Sequence, residues 1–597
     1  MAGDVWIWLG DSGGWRKAGS SADSTNPTGG RAEKLDGKAS LSGGRSEELD
    51  GKASLSGGRA SGGCNAAMAD GPGPDDAIVV WGGGRPQPGH PAYRERGMHP
   101  GWVLNAHAGD AARLPDGEWR RRLKRAGLSV SDGSDDQRVY RVPVFHLQAL
   151  AVRRLYGPAD DGAHWRYGGS AATELPPRDE EAGRLKDPLL RRAAAAAVKA
   201  LYALGLDFGE VLVAVDGGGR AAIRSVELPG KRLNAGGLWG TALDRFAAWH
   251  RTVRLGDGST EQPLLIGADP EFVLLRADGT IASADRYFRA AEAGTDAVLV
   301  RRRLRRPVAE LRPEPQDSPE ALAAELRRLL RYAASRPGTD RLRWAAGGMP
   351  VPGLALGGHI HLSGVPLTGR LLRLLDSYAA FPLAMVEDPA GRKRRPRYGA
   401  LGDFRLQPHG GFEYRTLPSW LVSPAAARAA FALALLCARE AWTLAYAPAE
   451  EERWVQAYYA GDRSELAGCL DRLAAEMAKT DSYAALSRWI EPLLGAARSG
   501  KTWDERADIR AKWRIPPFAG SGAVPVGGKR NGEERGSGIA SAGKDGGGRQ
   551  SGSKLSDGKA SGSKASVGKA SDGKASDGKA SVGKRGGGER PHRGSPR

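Results

Sequence analysis

Four segments in the middle of the chain carry polar residues two apart inside otherwise apolar runs. They are Leu264–Leu275 with Asp269 and Glu271, Val308–Pro313 with Glu310 and Arg312, Gly357–Leu362 with His359 and His361, and Phe412–Thr416 with Glu413 and Arg415. Strand residues two apart point to the same face, so each pair projects from one side of a strand whose alternate residues are apolar or aromatic. Four such pairs predict one sheet with a polar inner face. Helical spacing follows two of these strands. Ser318 and Pro319 suit an N-cap and first turn, and Leu322, Leu326, Leu329 and Leu330 then recur on one face. Ser423 and Pro424 repeat the arrangement before an alanine-rich run containing Phe431, Leu435 and Leu436. Helices on the outer side of a sheet whose polar side stays open make an α+β funnel.

An earlier unit is also readable: a helix over Glu118–Ala126, strand formers over Arg138–Leu155, and a helix over Leu189–Leu204. A hairpin closes it, with strands Gly209–Val215 and Ala221–Val226 joined by Asp216-Gly217-Gly218-Gly219. Val5–Leu9 and Ala77–Trp81 read as buried strands of one sheet, separated by a surface insert. That insert and the C-terminal end carry the pentapeptide DGKAS, beginning at Asp36, Asp50, Asp557, Asp572 and Asp577. Segments this poor in large apolar residues bury too little surface to offset chain entropy, and are expected to be disordered. The expected organisation is an N-terminal strand (1–16), a repeat insert (17–74), a first unit (75–232), a linker (233–260), a second unit with C-terminal helices (261–517) and a repeat tail (518–597).

Composition refines this picture only slightly. The net charge of +19 raises nucleic acid as a partner, but much of the excess lies in the tail and in arginine runs such as Arg301–Arg306 and Arg392–Arg397. Nucleic acid is therefore not expected. Cys64, Cys437 and Cys469 have no pairing pattern or metal spacing. No signal-peptide pattern and no 18-residue apolar stretch is present, so the expectation is a cytoplasmic protein without a membrane partner. Oligomeric state is not legible.

The polar residues sort by chemistry. Asp269, Glu271, Glu310, Glu413 and His359 offer hard oxygens and an imidazole, a set that suits magnesium or manganese. Arg312, Arg405 and Arg415 offer planar charged forks suited to phosphate and carboxylate oxygens. Together they suggest metal-bridged phosphates beside a carboxylate substrate.

The ordered motifs GADPEF (267–272), GTD (294–296), AELRPEP (309–315), GGHIHLSG (357–364), RYGALGDFR (397–405) and FEYRTLPSWLVSP (412–424) resemble the type-2 carboxylate-amine ligase (amidoligase) family of phages and bacteria. The resemblance implies a glutamine synthetase-like fold, a curved antiparallel sheet with helices on its outer face. It also implies ATP with Mg2+ or Mn2+, and small-molecule or peptide carboxylate and amine substrates joined through an acyl phosphate. Residue by residue, it gives Asp269, Glu271, Glu310, His359 and Glu413 to the metals and His361 to the nucleotide. Arg405 goes to phosphate, and Arg415 to the substrate or its phosphorylated form. Arg312 is either catalytic or simply the partner of Glu310. Asp-Pro-Glu stands where the family has Glu-x-Glu. Tyr398–Asp403, with two glycines, is the expected hinge of a lid.

The pieces at 102–128, 138–154 and 201–230 resemble an ATP-grasp domain, but Gly117, Leu212 and Ser225 stand where that pattern has a lysine and two metal acids. A degenerate ATP-grasp-like domain is expected. Two other functions stay open. One is a metal-dependent hydrolase built on the His-x-His and acidic cluster, which leaves the arginines without a task. The other is a non-catalytic nucleotide- or peptide-binding scaffold, whose signature would be loss of the metal acids.

Overall fold

The computed structural model describes residues 4–9, 15–18, 76–81, 103–133, 138–158, 165–167, 173–174, 187–230, 233, 237–254, 263–288, 293–300, 303–408 and 410–516. Apart from Lys17 and Ala18, the repeat insert and the tail lie outside these residues. No helix among the described residues is long and apolar enough to cross a membrane.

A four-stranded sheet has the order β2-β1-β3-β4, from β1 (Val5–Trp8), β2 (Trp15–Lys17), β3 (Ala77–Val80) and β4 (Val103–Leu104). β1 and β3 run parallel, in the one sheet that their apolar sequences predicted. Asp76 ties them together, accepting from the Asp4 amide (2.6 Å) and the Trp6 indole (2.9 Å). Short α1 (Ala108–Ala112) and basic α2 (Asp116–Arg125) follow. A seven-stranded sheet then forms from β5 (Arg138–Phe145), β6 (Gln148–Ala149), β7 (Ala151–Pro158), β8 (Trp165–Tyr167), β9 (Thr173–Glu174), β10 (Phe208–Val215) and β11 (Ala221–Glu227). Helix α3 (Pro188–Ala203) lays Ala193, Ala197, Ala200 and Leu201 against Val142, Val211, Val213 and Ile223. Leu212 and Ser225 are cross-strand partners, so the two positions expected to have lost acids do lie opposite one another. Gly117 sits in α2 facing open space.

The stretch expected as a linker is instead largely helical. α4 (Leu238–Arg254) packs Ala242, Leu243, Phe246 and Ala247 into the core formed by Val5, Ile7, Val79 and Phe208. Those four residues repeat at helical spacing, so burying them gives the helix more stability than its glycine-rich entry removes.

The third sheet has the order β14-β15-β12-β17-β19-β18, all antiparallel, with two short strands also on β12. Its members are β12 (Leu265–Leu275), β13 (Ile281–Ala282), β14 (Ala293–Val300), β15 (Arg303–Leu311), β16 (Arg343–Ala345), β17 (Gly358–Ser363), β18 (Phe404–Leu406) and β19 (Phe412–Tyr414). Between and after them come α5 (Pro319–Ala334), α6 (Gly369–Leu375), a π turn (Asp376–Ala380), α7 (Phe381–Val386), α8 (Pro424–Arg439), α9 (Glu452–Ala460), α10 (Arg463–Ala478), α11 (Tyr483–Arg498) and α12 (Ile509–Trp513). The residues alternating with the polar pairs, namely Phe272, Ile360, Leu362, Phe412 and Tyr414, join Leu326, Leu330, Phe431 and Leu435 in one core. Both predicted caps form: Ser318 Oγ accepts from the Ala321 amide (3.4 Å) and Ser423 Oγ from the Ala426 amide (3.1 Å).

β17 needs its leading glycines because the chain crosses it closely. Trp420 Nε1 donates to the Gly358 carbonyl at 2.8 Å, and a Cβ at Gly358 would lie 2.7 Å from both Pro418 O and that indole nitrogen. Gly358→Ala is expected to lower stability by about 1–3 kcal/mol, the usual cost of overpacking a tight contact. Urea denaturation checks this: the midpoint should fall while the slope is kept.

Candidate functional site

Strand register turns the separate polar pairs into one surface. Asp269 lies opposite His359, and His361 opposite Glu413, which in turn lies opposite Arg405. On the other edge of β12, Glu271 faces Glu310. Side chains of directly opposed residues are close enough to touch. His359 Nδ1 lies 3.0 Å from Asp269 Oδ1 and 3.0 Å from Glu413 Oε1, and His361 Nε2 lies 3.4 Å from Asp269 Oδ2.

Glu413 is the hub of this surface. Its side chain has no solvent exposure, and it accepts from Arg405 Nε (2.6 Å), Arg415 Nε (3.1 Å) and Gln407 Nε2 (3.2 Å). A buried carboxylate is tolerable only when paired and hydrogen-bonded, and here three donors do that work. Arg415 meets Glu413 through Nε, and its two terminal nitrogens make no hydrogen bond among the described residues.

Charge is balanced by protons as well as arginines. Burial opposes ionisation of His359, but Asp269 and Glu413 around Nδ1 reverse the effect and push its pKa up to about 10. Burial would likewise raise Asp269, yet the two imidazoles hold it far below the ordinary carboxylate range. Glu310 goes the other way: burial and then the Asp269 charge push it up to about 7, only partly offset by Arg312.

The donor set fits a hard divalent cation. Asp269, His361 and Glu413 each place one ligand atom within 4.8 Å of the others. Asp269 Oδ1 and His361 Nε2 are buried and meet other groups only through the imidazole–carboxylate contacts of this cluster, without a well-aligned hydrogen bond. Two carboxylates and one imidazole can together hold a divalent cation.

The structure brings the expected site residues together in an uneven way. His361, expected to face nucleotide, completes the three-residue group, whereas His359 bridges the two acids through Nδ1. Glu271 turns one oxygen to the Gly357 amide (2.7 Å), and with Glu310 lies outside the three-residue group. Arg312 is half exposed and pairs with Glu310 at 2.8 Å, the local partnership that its spacing allowed. Gln407 escaped the sequence reading, although Arg405 and Gln407 repeat the period-two pattern. Tyr398–Asp403 is not a free hinge. Thr416 Oγ1 donates to Ala400 O, Tyr458 Oη to Gly399 O, and the Leu401 amide to Tyr459 Oη. Its glycines serve close packing, since a Cβ at Gly402 would collide with the Tyr202 ring. In the basic run, Arg394 is buried and spends its guanidinium on the carbonyls of Thr416 (2.9 Å) and Leu417 (2.7 Å), bracing the chain just after Arg415.

With this geometry established, the comparisons are informative. Residues 266–515 match the family model of the phage phiEco32-like COOH.NH2 ligase, type 2. The match starts inside β12, takes in every residue of the polar face, and leaves out the first unit. No curated protein matches the chain. A solved structure of apo GmaS without ligand is 13% identical over 49% of this chain and 82% of its own, with a TM-score of 0.24.

The ion pairs on this face predict a titration. A histidine whose folded pKa exceeds its unfolded value of about 6.5 contributes stability that is fully present below that pH. For His359 this contribution is lost as pH climbs through about 10. Asp269→Asn removes the charge that raises the imidazole, so His359 should titrate well below that value. NMR of the histidine Cε1 protons against pH checks it in metal-free protein; an unchanged titration would mean that Asp269 is not its counter-ion.

Proposed function

We propose that residues 263–516 form an ATP-dependent carboxylate-amine ligase that makes an amide or peptide bond through an acyl phosphate, releasing ADP and phosphate. The observation that carries this reading is the convergence of Asp269, His361 and Glu413 with Arg405 and Arg415 on one sheet face. The family match over the same residues supports it.

Asp269, His361 and Glu413 would hold Mg2+ or Mn2+, with Glu271 and Glu310 one rung away as further acids. When bound, the cation neutralises phosphate charge, and ATP supplies the phosphoryl group that makes a carboxylate oxygen able to leave. The protein's own contribution is positioning and electrostatics. Glu413 fixes both guanidinium planes before any ligand arrives, so little reorganisation remains when charge develops. Arg415, with terminal nitrogens free, is placed to bind the equatorial oxygens of the transferring group or the substrate carboxylate. Arg405, with a half-exposed side chain, is suited to bind phosphate from the solvent side. Small carboxylates and amines, or the ends of peptides, are the substrates this chemistry admits.

The hydrolase alternative leaves Arg405 and Arg415 idle, and the scaffold alternative leaves the acids without a purpose. The decisive assay is magnesium-dependent ADP release from mixtures of amino acids and small peptides. ADP should form only when both a carboxylate and an amine are supplied, and the product should be lighter than its parts by one water. Two variants separate the roles of Glu413 and Arg415. Glu413→Gln should weaken metal-dependent ATP binding and abolish turnover together. Arg415→Lys should keep ATP binding but lower turnover by roughly a hundredfold, the scale of losing one preorganised donor. Calorimetry and ligation rates measure both. Near-normal turnover in Arg415→Lys, or normal metal and ATP binding in Glu413→Gln, would mark the pair as structural.

A further inference from the structure

A cleft with a cavity volume of about 160 Å3 opens where the first unit meets the helices around the catalytic sheet. Among the described cations that line it, Lys199 alone has no acid paired with it, while the buried acid Asp376 is held by the hydroxyls of Tyr202 and Tyr414. Arg125 and Arg122 hold Glu452 (2.9 Å and 3.3 Å), and Arg373 lies 3.6 Å from Asp207 and 3.8 Å from Glu450. His107 lies 3.9 Å from both Asp110 and Glu450. Lys199, on α3, makes no hydrogen bond or ion pair among the described residues. Burial lowers its pKa, and Asp403 offers only a longer-range attraction.

A partly buried ammonium without a partner is costly, and the cost is removed by whatever anion enters beside it. The size and polarity of that anion can be read from the walls. Lys199 offers one positive charge and the Asp376 carboxyl in the same wall opposes further negative charge, so a dianion is a poorer match than a monoanion. Leu114, Leu401 and Val455 line the same cleft and offer apolar surface to a hydrocarbon body. We propose that this cleft binds a small organic monocarboxylate, whose carboxylate pairs with the Lys199 ammonium and whose alkyl portion lies against Leu114, Leu401 and Val455. The site is distinct from the polar face of the catalytic sheet and uses none of its residues.

The test is thermal denaturation of the full chain with straight-chain monocarboxylates from acetate to hexanoate, at constant ionic strength, with inorganic phosphate and chloride as comparison anions. The protein should show a saturable rise in melting temperature that strengthens with chain length and is absent with chloride. Lys199→Met should weaken the apparent affinity at least about tenfold, the scale of losing one charge-assisted hydrogen bond. It should also leave the ligand-free protein at least as stable, because it removes an unpaired buried charge. Lys199→Arg should retain the response, and Glu413→Gln should retain it too, since Glu413 does not line the cleft. A response confined to phosphate, no saturable response to any monocarboxylate, an undiminished response in Lys199→Met, or loss of the response in Glu413→Gln would each overturn the proposal.

Discussion

The polar face of the third sheet depends on keeping a buried carboxylate ionised. Glu413 lies in the last long-range pairing of the sheet, with β17 on one side and β18 on the other, and its side chain has no contact with solvent. An unpaired charge there would neutralise itself or open the structure. Arg405, Arg415 and His359 prevent that, and each is thereby fixed in place. The same electrostatic requirement thus stabilises the strand pairing and orients the groups suited to phosphate chemistry. Without a bound cation, the protonated His359 lies between Asp269 and Glu413 and supplies part of the positive charge that a metal would bring.

That compensation requires a rigid sheet, and the rigidity comes from the opposite side. Every polar residue of the face alternates with one packed against α5, α8 or the π turn, so a change of register by one residue would exchange core for site. Further clamps hold the strand ends. Ser419 Oγ donates to the Glu271 carbonyl at 2.6 Å, Trp420 to Gly358, and Arg394 to the two carbonyls after Arg415. These buried bonds lie away from the chemistry, yet they set the spacing between β12, β17 and β19 on which the cluster depends.

The face was legible in the sequence because side-chain alternation is a local property of any strand. The period-two pairs, the serine caps and the hairpin at Asp216–Gly219 all follow from neighbouring residues alone. Register does not. How each histidine meets Asp269 and Glu413 depends on how β17 is offset against β12 and β19, and that offset is set by long-range pairing rather than by neighbouring residues. The helix Leu238–Arg254 was hidden for a related reason: its glycine-rich approach looks like a linker, and only the distant partners Val5, Ile7 and Val79 make its apolar stripe worth burying. The glycines at Gly399 and Gly402 read as hinge residues because sequence alone cannot show whether a glycine gives freedom or admits a neighbour; here Arg394 and Tyr202 occupy the space.

Asp376 shows how far such non-local effects extend. It is fully buried in the π turn and accepts from Tyr414 Oη (2.6 Å) on one oxygen and Tyr202 Oη (2.7 Å) on the other. Burial pushes its carboxyl up to about 7, although both tyrosines and Arg373 favour the charged form. Tyr414 ends β19 between Glu413 and Arg415, and Tyr202 lies on α3 of the first unit, three residues after Lys199. A single acidic side chain therefore joins the strand that carries the site to the helix that lines the cleft. Because its two oxygens are shared between the units, a shift of α3 has to be accommodated either at Asp376 or at Tyr414. The same junction carries the Arg373–Asp207 and Arg125–Glu452 pairs, so the units meet through directional, charge-assisted contacts rather than through an apolar seam alone. Contacts of that kind fix an orientation more strictly than hydrophobic packing does. The position of the first unit is thus tied, through Tyr202, Asp376 and Tyr414, to the strand that carries Glu413 and leads into Arg415.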